Sequence, residues 1–121
     1  MLLDTCIAID LLRGNKGAVE FIVGLEAPPS ISVVTLMELE VGVRGSKEAS
    51  ELSLFVDSIN AVGVEREIAV LAGRYYRNYK KSHGLDPLDA LIGATASHQG
   101  LALATLNVKH FPMFEGLERP Y

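Results

Sequence analysis

Apolar residues in this chain fall into two kinds of run, and their alternation predicts the architecture. Short continuous runs suit buried strands: Met1–Leu3 before Asp4, then Ile31–Val34, Ala61–Val64 and Leu101–Thr105. Between them, apolar residues recur at helical spacing. Thr5 can cap a first helix, in which Ile7, Ile9, Leu11 and Leu12 alternate with Asp10 and Arg13 before Gly14 ends it. Ala18–Leu25 predicts a second short helix, followed by a breaker at Ala27–Pro29. Thr35–Val43 predicts a third, with either Ser32 or Thr35 as its N-cap. After a turn over Gly42–Glu48, Ala49–Ile59 turns Leu52, Phe55, Val56 and Ile59 to one face. Glu65–Lys81 is the longest helix, with Ile68, Leu71, Ala72, Tyr75 and Tyr79 on its inward side.

The stretch Leu85–Gln99 organises the rest. Asp86 stands where an N-cap would and Pro87 at the first helical position. Leu88, Leu91, Ile92, Thr95 and Ala96 recur at helical spacing, and Ala90, Gly93 and Ala94 keep the other side small, so this helix should be packed on several sides. Asn107–Pro112 reads as a tight loop, and Gly116–Tyr121 as an edge strand or a loose tail. A strand followed by two helices, three times over and closed by a fourth strand, predicts an α/β fold. Its central sheet is mainly parallel, of four or five strands, with helices on both faces.

At 121 residues the chain is expected to form a single domain over 1–121. With 49% hydrophobic and 21% charged residues, a packed globular core is expected. The only cysteine, Cys6, excludes an internal disulfide and a thiolate metal cluster, and fits a reducing compartment such as the cytoplasm. A net charge of −4 excludes nucleic-acid binding by bulk charge alone, leaving room for a local basic patch aided by metal ions. The N-terminus has no basic leader, and Asp4 and Asp10 interrupt its apolar run. Ala90–Val108 carries no Asp, Glu, Lys or Arg, but Ser97–Gly100 divides it into helix, turn and strand, so no membrane span is expected.

Three acids stand out. Asp4, Glu38 and Asp89 each lie at a predicted strand end or in a helix's first turns, embedded in apolar sequence. Each also has a structural reading. Asp4 can be a turn residue, Glu38 the partner of a Thr35 capping box, and Asp89 an acid at the third helical position favoured by the helix dipole. If Ser32 is the cap, the box explanation of Glu38 fails. Three carboxylates meeting in one cleft would repel one another and raise each other's pKa unless a cation held them. Oxygen-only ligands suit Mg²⁺ or Mn²⁺, which activate water and stabilise the leaving oxygen in phosphodiester hydrolysis. Other chemistries lack their signatures: no P-loop, no dinucleotide fingerprint and no nucleophile elbow occurs. Cys6, at a helix start, reads as a structural thiol rather than a reactive one, and His83 and His98 as solvated. Arg74–Lys81 is basic and interleaved with tyrosines. Arg74, Arg77, Lys80 and Lys81 form either a solvated face or an RNA-contacting strip, and the tyrosines between them offer a third reading, a partner-binding surface.

MLLDT at the start, SVVTLMELEVGVRG, LDPLDALIGATA and LALATLNVKHF resemble, in order and spacing, the PIN-domain ribonucleases, and more narrowly the VapC-type toxins of type II toxin–antitoxin systems. The resemblance implies a PIN-like three-layer fold and a Mg²⁺- or Mn²⁺-dependent endoribonuclease acting on structured RNA such as tRNA or rRNA. It also implies a homodimer silenced by a VapB-type antitoxin whose tail crosses the active-site cleft. By motif, Asp4, Glu38 and Asp89 match the family's first three acids, and Thr5, Thr105 and Asn107 match polar positions lining such sites. Where the family commonly has a fourth acid this chain has His110, so that a second ion would need Asp86 or water in its place. That departure also defines the alternative, a PIN-like module that binds RNA or a protein partner without cutting. Products with 3′-hydroxyl and 5′-phosphate ends are expected of the active enzyme.

Overall fold

The structure, a computed structural model, describes residues 1–121. In chain order its elements are β1 (Leu2–Leu3), α1 (Thr5–Leu12), α2 (Lys16–Val23), β2 (Ser30–Ser32), α3 (Val33–Val41), α4 (Ser46–Ser58), β3 (Asn60–Val62), α5 (Arg66–His83), α6 (Pro87–Gln99) and β4 (Leu103–Ala104). A 3-10 turn follows at Val108–His110. The sheet has four strands in the order β3-β2-β1-β4, and every pairing is parallel. No fifth strand forms: the tail after Gly116 runs irregularly to Tyr121, whose hydroxyl donates to Asp10 Oδ2 at 2.8 Å.

The two-residue strands still show the alternation of a sheet buried on both faces. Leu2 and Leu103 pack with Val34, Ile92, Ala96 and Phe111, whereas Leu3 and Ala104 pack with Ile7 and Ile31 on the opposite side. α6 lies in the core, with Ala90, Ile92, Gly93, Ala94, Thr95 and Ala96 all buried. Small residues let its neighbours approach: a Cβ added at Gly93 would stand 3.3 Å from the Phe111 ring. The uncharged stretch after Ala90 is indeed helix, turn and strand, with Gly100 making the turn at φ +66°, and no helix is long and apolar enough to cross a membrane.

Several boundaries differ from the sequence expectation, for local reasons. The second strand ends at Ser32 rather than Val34, because the Ser32 hydroxyl accepts from Val34 N–H at 3.0 Å and starts α3 there. Likewise Asp4, not Thr5, caps α1. α4 begins at Ser46, three residues before Ala49, with Gly45 at φ +95° making the turn.

Candidate active site

Each end of the polar cleft is built by a strand that stops and a helix that starts. Asp4 follows β1, and its Oδ1 accepts from Thr5 N–H at 2.8 Å to cap α1. The parallel register Leu3↔Ala104 sets Thr105 beside it, and Thr105 Oγ1 donates to Asp4 Oδ2 at 2.6 Å. The strands on one side of β1 run β2, β3, while β4 lies on the other, so the two residues flank the point where the sheet's strand order reverses. Open α/β sheets bind ligands in that crevice, at the carboxyl ends of the strands. Asp4 is only 3% exposed and also receives Cys6 Sγ at 3.5 Å.

Glu38 lies on α3, well inside the helix now that Ser32 is the cap, and the capping-box explanation fails. Its Oε1 accepts from Thr5 Oγ1 at 2.7 Å, so Thr5 links Asp4 through its N–H and Glu38 through its hydroxyl. Asp89 sits in the first turn of α6, where its backbone N–H donates to the N-cap Asp86 at 2.9 Å. The helix position expected of a capping acid is therefore realised, but the Asp89 side chain turns to His110, with Oδ2 3.3 Å from Nδ1. Burial, then the charges of Asp86 and Asp4, push the Asp89 carboxyl up to about 6, against a smaller downward pull from His110. Asn107 N–H donates to Thr105 Oγ1 at 2.9 Å, which ties the following loop to the same crevice.

Asp4, Glu38, Asp89, Asp86, Thr5, Thr105, Asn107 and His110 are thus joined in one network of bonds and facing charges. The carboxylates do not close on one another. The one trio of ligating groups with atoms mutually within 4.8 Å is Glu65, Glu67 and His98, exposed where the start of α5 meets the end of α6. In the crevice, Thr5 bridges Asp4 and Glu38 through its N–H and its hydroxyl. The donor set fits a hard divalent cation. The acids are oxygen ligands, and Asp89 lies under the negative charge of Asp86 and Asp4. Burial and Asp4 push the nearby Cys6 thiol up to about 11, so it stays protonated at neutral pH and offers no thiolate.

No contact ties the basic residues of α5 to this network. Arg74, Arg77, Lys80 and Lys81 are exposed, with Lys80 Nζ 5.3 Å from the centre of the Tyr76 ring. Tyr75, Tyr76 and Tyr79 are half-buried and pack against the cluster of Ile68, Ala72, Leu85, Ala90 and Ala94. Sequence reasoning missed two features of the site. One is the contact of Cys6 with Asp4. The other is a cleft of about 330 Å³ beside Glu38, walled by Ile9, Leu12, Leu39, Val43 and Leu52 and rimmed by Arg13, Glu48 and Glu51. Helical periodicity marked several of these apolar residues as inward, but nothing in it distinguishes a filled core from an open groove.

The sequence profile of the PIN domain matches residues 1–112. Ribonuclease VapC19 of Mycobacterium tuberculosis is 40% identical, covering 99% of this chain and 98% of its own length. Ribonuclease VapC10 of the same organism is 41% identical over 100% of this chain and 92% of its own. Among solved structures, a toxin–antitoxin complex from Klebsiella pneumoniae contains a chain that superposes with a TM-score of 0.86 at 31% identity, covering 99% of this chain and 97% of that one. The structure of VapBC2 from Rickettsia felis, bound to a DNA fragment from its promoter, shares the fold with a TM-score of 0.79 at 22% identity.

Proposed function

The chain belongs to the PIN-domain family, and on that premise we propose that it is a VapC-type toxin, a metal-dependent endoribonuclease held in check by a cognate antitoxin. The observation that carries this reading is the linkage of three acids from distant parts of the chain at the carboxyl edge of the sheet, Glu38 to Asp4 through Thr5 and Asp89 to Asp4 by charge. Asp4 and Asp89 would hold the principal ion, Mg²⁺ or Mn²⁺, with Glu38 binding it directly or orienting the attacking water. A bound ion supplies charge neutralisation, activation of water and stabilisation of the leaving 3′-oxygen.

The remaining work falls to the chain itself. Thr105 and Thr5 N–H fix both oxygens of Asp4, so that its carboxylate needs no reorganisation. Thr5 Oγ1 anchors Glu38 by one oxygen. Asp86 holds the first turn of α6 through Asp89 N–H and thereby sets the direction of the Asp89 side chain. His110 accompanies Asp89 instead of adding a further carboxylate, which favours one tightly held ion over two.

The substrate we propose is structured RNA, tRNA or rRNA, cut to 3′-hydroxyl and 5′-phosphate ends, with Arg74, Arg77, Lys80 and Lys81 contacting its backbone. The cleft beside Glu38, apolar within and mostly acidic at its rim, suits the amphipathic, cationic tail of a VapB-type antitoxin. On α3, Val33, Met37 and Val41 are 37%, 47% and 81% exposed at four-residue intervals, an apolar line that supports a homodimer. The reducing cytoplasm is the proposed location.

The test is RNA cleavage by Asp4→Asn and Asp89→Asn proteins. Asparagine can still cap α1 in place of Asp4, and the Asp89 side chain caps no helix, so both should fold and bind antitoxin while cleavage falls by roughly 100-fold or more. A soluble Asp89→Asn protein of full activity would overturn the mechanism. Titration with Mn²⁺ separates the enzyme from a non-cutting PIN-like module, which would show no ion binding dependent on Asp4.

A further inference from the structure

We infer that Thr35 is a positioning residue for Glu38, acting through the hydroxyl of Thr5, an assignment that rests on the reading of Glu38 as part of the ion and water site. Thr5 Oγ1 carries one hydrogen, and the Glu38 carboxylate 2.7 Å away can only accept it. The 2.9 Å contact between Thr5 Oγ1 and Thr35 Oγ1 must therefore run from Thr35 to Thr5. The chain of bonds has one direction, Thr35 to Thr5 to Glu38, and each donation strengthens the next.

Local structure supports a dedicated role. Thr35 is the third residue of α3 and the residue four before it, Ile31, lies in β2, so the helical back-bond that Thr95 makes to Leu91 O at 2.7 Å inside α6 is not on offer to it. Its hydroxyl is free to reach across to α1, where it meets Thr5. It is fully buried at 0% exposure and Thr5 is 9% exposed, so bulk water cannot take over the donation. Thr35 and Glu38 stand three residues apart on α3, where side chains share a face, and the helix delivers both to the same hydroxyl. The effect is to hold Thr5 as a donor to Glu38 Oε1 and leave Oε2, which has no protein donor, to face ion or water.

The experiment compares Thr35→Val, Thr35→Ala and Thr35→Ser with the native chain, alone and in a Thr5→Val background. Mn²⁺ affinity is read by calorimetry, kcat and KM by RNA cleavage, and folding by thermal melting. Thr35→Val and Thr35→Ala, which lose the donor but differ in shape, should each lower Mn²⁺ affinity and kcat about 5- to 10-fold with KM unchanged. Thr35→Ser should restore both, and Thr35→Val should have no further effect once Thr5 is Val. Unchanged Mn²⁺ affinity in both donor-less variants, equal loss in Thr35→Ser, or full additivity with Thr5→Val would overturn the inference. Glu38→Gln keeps the two failures apart. If it binds Mn²⁺ and cuts RNA normally, the reading of Glu38 itself fails. If it is impaired while Thr35→Val is not, only the role of Thr35 falls.

Discussion

Asp89 shows how one carboxyl can serve two demands. As the third residue of α6 it is favoured by the helix dipole, yet burial and the charges of Asp86 and Asp4 raise it to about 6. Its folded value lies above the ordinary 3.8, so the metal-free fold binds that proton more tightly than the unfolded chain does. This group therefore favours folding most at low pH, and the contribution is lost as pH rises through about 6. A divalent ion held by Asp89, as proposed, would compete with the same proton and work in the opposite sense. Calorimetric titration should show Mn²⁺ binding about 10-fold weaker near pH 5 than near pH 7.5, a difference that Asp89→Asn removes. The sequence identified Asp4, Glu38 and Asp89 because a carboxylate in an apolar run is conspicuous. It could not show that Asp89 faces His110 or that Cys6 touches Asp4, since both contacts join segments about 20 and two residues apart through turns whose geometry is not periodic.

At the level of elements, the decisive choice was made at the start of α3. Ser32 and Thr35 are both acceptable caps, and local preference does not separate them. Packing does: with Ser32 as cap, Val34 turns into the core beside Leu2, and Thr35 is released to reach Thr5. Ser32→Ala should cost about 1 kcal/mol of stability, measured by urea unfolding, and should also weaken cleavage, because fraying of this turn loosens Thr35 and Glu38 together. The second strand ends earlier than its apolar run for a related reason. β-branched Val33 and Val34 suit strands by propensity, but a hydroxyl capping Val34 N–H and the burial of Val34 outweigh it.

For the molecule as a whole, the parallel order β3-β2-β1-β4 is what assembles the site, because it brings the carboxyl ends of β1 and β4 together beside the first turns of the helices. The same arrangement leaves the Val33, Met37 and Val41 line of α3 outside the core. A homodimer on that line predicts that Met37→Glu elutes as a monomer in size-exclusion chromatography with its melting behaviour retained, while the native chain elutes at twice the monomer mass. An unshifted elution volume would place any dimer contact elsewhere.

By itself the sequence determined the alternation of strands and helices, the buried α6 and which carboxylates stand in apolar surroundings, because hydrophobic period and the cost of burying charge are local properties of the chain. Only the tertiary structure decided which hydroxyl faces which carboxylate, where a groove stays open beside Glu38, and that the basic residues of α5 stand apart from the carboxylate network. Those outcomes depend on strand order and helix packing between segments far apart in sequence, to which no periodicity along the chain is sensitive.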